Sequence, residues 1–217
     1  MALSIGLVGL ANVGKSTTFN ALTKEQNANA QNYPFCTIEP NKAIVPVQDA
    51  RLNALGEIVH PQKFQYATVE FVDIAGLVRG AHKGEGLGNA FLANIRECNA
   101  ILHVVRCFDD DNITHIEGSV DPVRDAQIIE TELILSDIAS LEKYITNLEK
   151  KAKANDKTAK TLLESARKLK EHLNEGAPAR NFDGLEDLKD LNLISAKNMI
   201  YLANVSEEDI KGNAHTQ

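Results

Sequence analysis

The sequence of 217 residues has few cysteines, no excess of basic residues and no long apolar run. Its three cysteines, Cys36, Cys98 and Cys107, are odd in number and lack C-x-x-C spacing, which favours reduced thiols over disulfides or a zinc site. Lysine and arginine total 23 against 30 aspartates and glutamates, so the net charge is −7 and a globally basic, DNA-binding surface is absent. No run approaches the roughly 18 apolar residues of a membrane span. These absences predict a cytoplasmic protein without membrane or DNA partners.

Short apolar runs alternate with longer helical patterns, which is typical of an α/β fold with a mostly parallel sheet covered on both faces. The predicted strands are Leu3–Val8, Lys42–Val47, Thr68–Asp73, Ala100–Cys107 and Asn198–Asn204. Helices are predicted at Lys15–Leu22, Asp49–Val59 and Asn89–Asn99. The apolar N-terminus has no basic segment, so residues 3–8 are interpreted as a buried strand rather than a signal peptide.

A more charged insert separates the last two predicted strands. Its apolar positions follow the a/d spacing of a coiled coil in two series, Ile134, Ile138, Leu141, Ile145, Leu148 and Ala152, then Ala159, Leu162, Ala166, Leu169 and Leu173. Asp156 fits the N-cap of the second helix, and Gly176 with Pro178 would end it. The pattern predicts an antiparallel helical hairpin. Two ordinary amphipathic helices lying on the sheet are the alternative, because periods of 3.5 and 3.6 residues differ little over so few turns.

The most informative motif is G-x-x-x-x-G-K-S at residues 9–16, between a predicted strand and a predicted helix. In a phosphate-binding P-loop, backbone N–H groups and the helix N-terminus surround a phosphate. Lys15 would reach the β- and γ-phosphates, and the Ser16 hydroxyl would bind Mg²⁺. An accidental glycine turn is the alternative interpretation.

Two further segments would complete such a site. Asp73 and Gly76 form a D-x-x-G motif after an apolar strand, where the carboxylate would hold the Mg²⁺ shell and the glycine N–H would meet the γ-phosphate. Thr37 lies in Asn32–Pro40, where a first switch loop would be, and its hydroxyl could complete the Mg²⁺ coordination. Taken alone, a strand-ending aspartate and a loop threonine are common features of turns.

The segment Asn204-Val205-Ser206-Glu207 occupies the place of the N-K-x-D motif that reads guanine. Valine replaces the lysine, and Glu207 replaces the aspartate with a carboxylate one methylene further out. Guanine specificity is therefore expected to be relaxed, because mismatched hydrogen bonds change discrimination strongly. Asn204 can still bridge the P-loop and the base.

Together these motifs resemble the Obg-related family of P-loop GTPases, and within it the branch of YchF or Obg-like ATPases. The resemblance rests on the P-loop, N-Y-P-F-C-T-I-E-P at 32–40, D-I-A-G-L-V-R-G-A-H-K-G-E-G-L-G at 73–88, and residues 204–207. It implies a Ras-like or Obg-type G domain, Mg²⁺-dependent slow hydrolysis of ATP with GTP bound more weakly, stimulation by K⁺, and association with ribosomes and their RNA. The expected nucleotide contacts are Asn12, Val13, Gly14, Lys15, Ser16, Thr17, Asn204, Val205 and Glu207. The expected metal ligands are Ser16, Thr37 and Asp73.

The resemblance also implies a domain plan. We expect a nucleotide-binding domain at 1–120 and 180–217 that stops before its last strand, a coiled-coil insert at 121–179, and a C-terminal TGS domain beyond this sequence. Ser195-Ala196-Lys197 looks like a second base-contacting loop, but it precedes Asn204 and is not assigned that role. The family's K⁺-binding asparagine falls on Asn12, for which a loop-capping role is the alternative.

The expected catalytic groups are Lys15, Thr37, Gly76 and His115. Leu77 stands where Ras-type enzymes have a water-orienting glutamine, so K⁺ near Asn12, or a histidine at 82 or 115, is the candidate for that task. A nucleotide-sensing module that docks on ribosomes is the rival hypothesis. Its docking surface would be the hairpin turn with its five lysines, Lys150, Lys151, Lys153, Lys157 and Lys160, although such lysines are commonly just solvated. A P-loop kinase is a weaker third reading, because no arginine-rich lid is evident.

Overall fold

The computed structural model of the chain describes residues 3–29, 38–39, 42–74, 87–154 and 156–216. Thr37, Gly76, Leu77 and His82 lie outside the described residues. Six strands form one sheet: β1 (Leu3–Val8), β2 (Ile38–Glu39), β3 (Lys42–Pro46), β4 (Thr68–Asp73), β5 (Ala100–Arg106) and β6 (Asn198–Asn204). The helices are α1 (Lys15–Asn29), α2 (Ala50–Val59), α3 (Leu87–Glu97), α4 (Pro122–Lys153) and α5 (Lys157–Asn174).

The strand order is β2-β3-β4-β1-β5-β6. Strands β4, β1, β5 and β6 are parallel neighbours, whereas β3 pairs antiparallel with both β2 and β4. The expected mostly parallel sheet is therefore confirmed, with one strand running against the others. The five predicted strands agree with the structure to within one residue at each end, and β2, only two residues long, was not predicted.

Both faces of the sheet are covered by helices. On one face, α3 contributes Ile95 and α4 contributes Ile129 and Leu133 to a cluster with sheet residues, and all three side chains are buried. On the other face, Phe19 of α1 packs with Leu7 of β1. This burial explains why the central strands read as nearly continuous apolar runs. Helix α1 extends seven residues beyond its predicted end at Leu22.

Helices α4 and α5 form the predicted antiparallel hairpin. The Asp156 carboxylate accepts the Ala159 N–H at 3.1 Å, as expected of an N-cap, and Gly176 adopts φ of 84° just after α5. The buried members of the predicted seam are Ile134, Leu141, Leu148, Ala159, Ala166, Leu169 and Leu173. The first turns of α4 lie on the sheet instead, so the hairpin continues directly from the core that surrounds the sheet.

A buried carboxylate fixes the base of the hairpin. Asp137 of α4 is fully buried, and its two oxygens accept the N–H groups of Ile194 and Ser195 at 2.9 and 2.7 Å. Burial raises the pKa of Asp137, and these hydrogen bonds oppose the rise. The Ser195 hydroxyl in turn accepts the Ala179 N–H. Through these two hydrogen bonds, Ser195 fixes the segment that leads into β6.

Candidate nucleotide site

The P-loop lies at the carboxyl end of β1, between the strand and α1. Its backbone takes two left-handed conformations, at Asn12 with φ of 60° and at Gly14 with φ of 98°. A Cβ atom at Gly14 would come within 2.2 Å of the side-chain nitrogen of Asn204, so glycine is required there for both conformation and space. The sequence motif therefore folds into a loop whose shape depends on these two positions.

The side chains that follow in the P-loop are held in distinct ways. Lys15 is buried, and its ammonium group donates to the Leu10 carbonyl at 2.6 Å. Burial lowers the pKa of Lys15, and the negative charge of Asp73 partly offsets this. Val13 is buried in the core, whereas Ser16 and Thr17 are exposed. The loop thus presents a cation and two hydroxyl groups at the start of α1.

The structure brings Ser16 and Asp73 together. The Ser16 hydroxyl donates to Asp73 Oδ2 at 2.8 Å, which joins the first turn of α1 to the end of β4. Hydroxyl and carboxylate oxygens are the hard ligands that Mg²⁺ prefers, and this ion usually retains waters and binds few protein groups. Among the described residues no cluster of three or more His, Cys, Asp or Glu side chains forms.

A pocket of about 550 Å³ opens beside the P-loop. Three segments line it. The P-loop region contributes Asn12, Gly14 and Thr17, and the loop after β5 contributes Phe108, Asp109, Asp110 and Ile113. The third segment is Asn204, the last residue of β6, with Val205 and Ser206. Asn204 donates from Nδ2 to the Val13 carbonyl at 2.9 Å, so its predicted bridge to the P-loop is present. Glu207 begins a short 3-10 turn, is exposed, and is not among the lining residues.

His115 is buried and bonded at both ring nitrogens. Nε2 lies 2.7 Å from Asp125 Oδ2, and Nδ1 accepts the Glu117 N–H at 3.1 Å. These contacts define the neutral tautomer with the proton on Nε2. The geometry therefore favours a structural role, since orienting a water molecule would require the ring to give up one of these bonds.

The neighbouring residue Thr114 connects this histidine to the P-loop. The side-chain amide of Asn12 donates to the Thr114 carbonyl at 3.1 Å. Asp125, which bonds His115, lies in the first turn of α4 and also accepts two hydrogen bonds from Arg124. Neither contact was predicted: Asn12 and Thr114 are 102 positions apart, and no motif pairs His115 with Asp125, ten positions further along the chain.

The strand order and the loop at the end of β1 define the chain as a P-loop protein with a G-domain fold. A family description, 50S ribosome-binding GTPase, matches residues 4–136. The chain belongs to this family.

Two similar proteins and one solved structure show which members of the family the chain resembles. The chain is 51% identical to the ribosome-binding ATPase YchF of Haemophilus ducreyi, over 99% of this chain and 60% of that protein. It is 52% identical to the ribosome-binding ATPase YchF of Bacillus subtilis, over 97% and 58%. The solved structure of the Schizosaccharomyces pombe YchF GTPase matches with a TM-score of 0.82 and 41% identity, over 98% of this chain and 60% of that one. The chain thus spans about three fifths of these relatives, and the expected resemblance is confirmed.

Proposed function

We propose that this chain binds ATP together with Mg²⁺, hydrolyses it slowly, and acts as a nucleotide-dependent switch on ribosomes. The observation that carries the proposal is the bond between Ser16 and Asp73 beside the buried Lys15, which places a metal-binding pair and a cation at the mouth of the P-loop. The relatives named above are described as ribosome-binding ATPases, which supports the partner and the nucleotide.

Lys15 supplies the charge that a triphosphate needs. Its ammonium group donates to the Leu10 carbonyl, and a phosphate oxygen would be a stronger, anionic acceptor. In a partly water-excluded site such a contact stabilises the charge that develops on the γ-phosphate during attack by water. We therefore assign Lys15 to phosphate binding and to stabilisation of the transition state.

Ser16 and Asp73 are proposed to hold Mg²⁺, directly or through its water shell. The ion would neutralise charge on the β- and γ-phosphates when it is bound. We also propose that Thr37 is a further metal ligand and that the Gly76 N–H contacts the γ-phosphate. A K⁺ ion near Asn12 is proposed as a second cation. We propose that the water-orienting group is K⁺ rather than His115, because His115 is already bonded to Asp125 and to the Glu117 N–H.

We propose a preference for ATP over GTP because of the residues in the pocket wall after β6. Val205 cannot hydrogen-bond a base with its side chain, and Glu207 is not among the residues that line the pocket. The wall thus lacks the carboxylate that would accept both donors on the Watson–Crick edge of guanine. Asp109, on the opposite wall, has His215 Nε2 at 2.9 Å from its Oδ2.

A non-catalytic nucleotide sensor is the alternative function. The hairpin supports it, since α4 ends in three lysines and projects from the core that also carries the P-loop. In both versions the protein works in the cytoplasm, where ribosomes are found. No described helix is both long and apolar enough to span a membrane.

The test is calorimetric titration of the 217-residue chain with Mg·ATP and Mg·GTP, followed by turnover assays with and without K⁺ and ribosomes. We expect tighter binding of ATP and slow turnover that K⁺ increases. The Lys15→Ala variant should lose roughly 10²–10³-fold in kcat, the cost typical of removing one charge-stabilising donor. ATP binding without any turnover, under every condition, would favour the sensor, and absence of heat with either nucleotide would contradict both.

A further inference from the structure

Arg106 holds the loop that forms one wall of the pocket, although Arg106 itself does not line the pocket. Arg106 is the last residue of β5 and is 2% exposed. Its guanidinium group donates to three backbone carbonyls of the following loop: Nε to Phe108 at 3.0 Å, Nη1 to Ile113 at 2.8 Å and Nη2 to Asp110 at 3.2 Å. The guanidinium carbon also lies 4.6 Å from the centre of the Phe108 ring.

This arrangement is specific to arginine. A guanidinium group is planar and carries five donors in a fixed fork, so it can hold three carbonyls at set positions at once. A lysine ammonium group is compact and cannot span the same three oxygens. Burying a charge is costly unless hydrogen bonds satisfy it, so the loop must keep its carbonyls turned toward Arg106. The loop conformation and the buried cation therefore stabilise each other.

The loop that Arg106 holds forms one side of the pocket. Phe108, Asp109, Asp110 and Ile113 all line it, opposite Asn204, Val205 and Ser206. Arg106 also pairs in register with Asn204 across β5 and β6, and the Cys107 N–H donates to the Asn204 carbonyl at 2.8 Å. The two walls thus start from the same pair of strand ends, and one of those ends is bonded to the P-loop.

We propose that Arg106 is a positioning residue for the nucleotide base: it fixes the wall at 108–113 against which the base is held. This inference rests on the proposed nucleotide-binding function. Lys15, Ser16 and Asp73, which would hold the phosphates and Mg²⁺, do not line this pocket. A defect in the wall should therefore weaken binding of the base and spare binding of the phosphates.

The experiment compares Mg·ATP with Mg·tripolyphosphate, which has the phosphates but no base, by calorimetry on wild type and Arg106→Lys. We expect the Kd for ATP to rise about tenfold or more and the Kd for tripolyphosphate to change less than about twofold. The matched control is Arg180→Lys, because Arg180 also donates to a carbonyl, that of Ser195, but lies outside the pocket lining. The control should leave both constants unchanged.

Unchanged ATP affinity in Arg106→Lys would overturn the inference, and so would a parallel loss for ATP and tripolyphosphate, which indicates a general structural role. Failure of wild type to bind ATP would instead contradict the proposed function. If Arg106→Lys does not fold, the test is hydrogen exchange of the backbone amides of residues 108–113 in the wild-type protein, measured with ATP and with tripolyphosphate. Slower exchange with ATP than with tripolyphosphate supports the inference, and equal exchange overturns it.

Discussion

Asn204 Nδ2 donates to the carbonyl oxygen of Val13 at 2.9 Å and so joins two residues that are 191 positions apart in the chain. This bond connects the end of β6, where the base is expected, to the loop that is expected to hold the phosphates. Because Gly14 has no side chain, the Asn204 amide can approach the loop this closely. The two halves of the candidate nucleotide site are therefore in direct contact.

The first prediction concerns this bond. Asn204→Asp keeps the size of the side chain but removes the donor and places a negative charge near the Val13 carbonyl. Loss of this partly buried hydrogen bond costs roughly 1–2 kcal/mol, so the Kd for Mg·ATP should rise about tenfold. Calorimetry measures the change. Asn198→Asp, at the exposed opposite end of the same strand, is the control and should bind ATP like wild type.

The second prediction concerns the close approach of Gly14 to Asn204. Gly14→Ala would place a Cβ atom 2.2 Å from Asn204 Nδ2 in addition to the strain of φ at 98°. We expect the Kd for ATP to rise by at least about a hundredfold, because either the loop or Asn204 must move. Isothermal calorimetry with Mg²⁺ present gives the constant directly.

The matched control is Gly184→Ala. Gly184 has φ of 97°, but the nearest atom to an added Cβ, Phe182 Cε1, is 3.9 Å away, which is an ordinary contact. This variant should lose about 1–2 kcal/mol of stability from the left-handed conformation alone and retain ATP binding. ATP affinity in Gly14→Ala equal to that in Gly184→Ala would mean that the loop tolerates both the strain and the contact with Asn204, which would contradict the prediction.

How far the sequence predicts this structure depends on whether a feature is local. The strand ends, the P-loop and the Asp156 cap are set by neighbouring residues, so apolar runs, glycine positions and capping residues predicted them. The predicted hairpin seam was also found, because Leu141 and Leu169 repeat at coiled-coil spacing. The remaining site residues, Thr37 and Gly76 among them, stay predictions.

The features that sequence patterns missed depend on contacts that only the folded backbone defines, whether the partners are near in sequence or far apart. Arg106 looks like an unremarkable strand end, and only the fold shows that three carbonyls converge on it. Asp137 reads as a solvated helix residue, yet it binds two N–H groups 57 and 58 positions away. His115 was expected in catalysis because Leu77 cannot orient a water molecule and a loop histidine could, and its bond to Asp125 could not be predicted without the fold. No periodicity or motif signals such contacts.

The third prediction concerns pH and stability. His103 of β5 is 1% exposed, its Nδ1 has no hydrogen-bond partner among the described residues, and its pKa is lowered to about 4 by burial and by the charge of Lys15. The unfolded chain takes up the proton near the ordinary pKa of 6.5, whereas the folded chain does not. Stability present above pH 6.5 is therefore lost as the pH falls toward 4, by about 3 kcal/mol in total from this group.

His103→Phe removes the titrating group and keeps a ring beside Tyr201, whose ring centre is 5.4 Å from that of His103. Urea unfolding at pH 7, 6 and 5 should show a flatter loss of stability than in wild type. At pH 7 the variant should be at least as stable, because the buried unsatisfied nitrogen is gone. Tyr201→Phe alters the neighbouring ring only and should keep the wild-type slope. A slope in His103→Phe equal to that of wild type would contradict the assigned pKa shift.

The fourth prediction concerns the end of α4, where Lys150, Lys151 and Lys153 form the basic last turn next to the hairpin turn. If this tip contacts ribosomal RNA, phosphate neutralisation contributes to affinity, and binding weakens as salt rises. Reversing all three lysines to glutamate should reduce co-sedimentation with ribosomes and reduce its dependence on salt concentration. None of these lysines lines the pocket beside the P-loop, so ATP binding should stay unchanged.

The control must change the net charge equally at other sites. Lys63, Lys143 and Lys168 are exposed and lie away from the hairpin tip, in the segment after α2 and along the two helices. Glutamates at these three positions should lower ribosome binding far less than the tip variant does, because counterion release depends on contacts and not on overall charge. Equal losses in the two variants would point to general repulsion from RNA. Unchanged binding in the tip variant would rule out this surface, and the ribosome contact would then have to lie elsewhere on the protein.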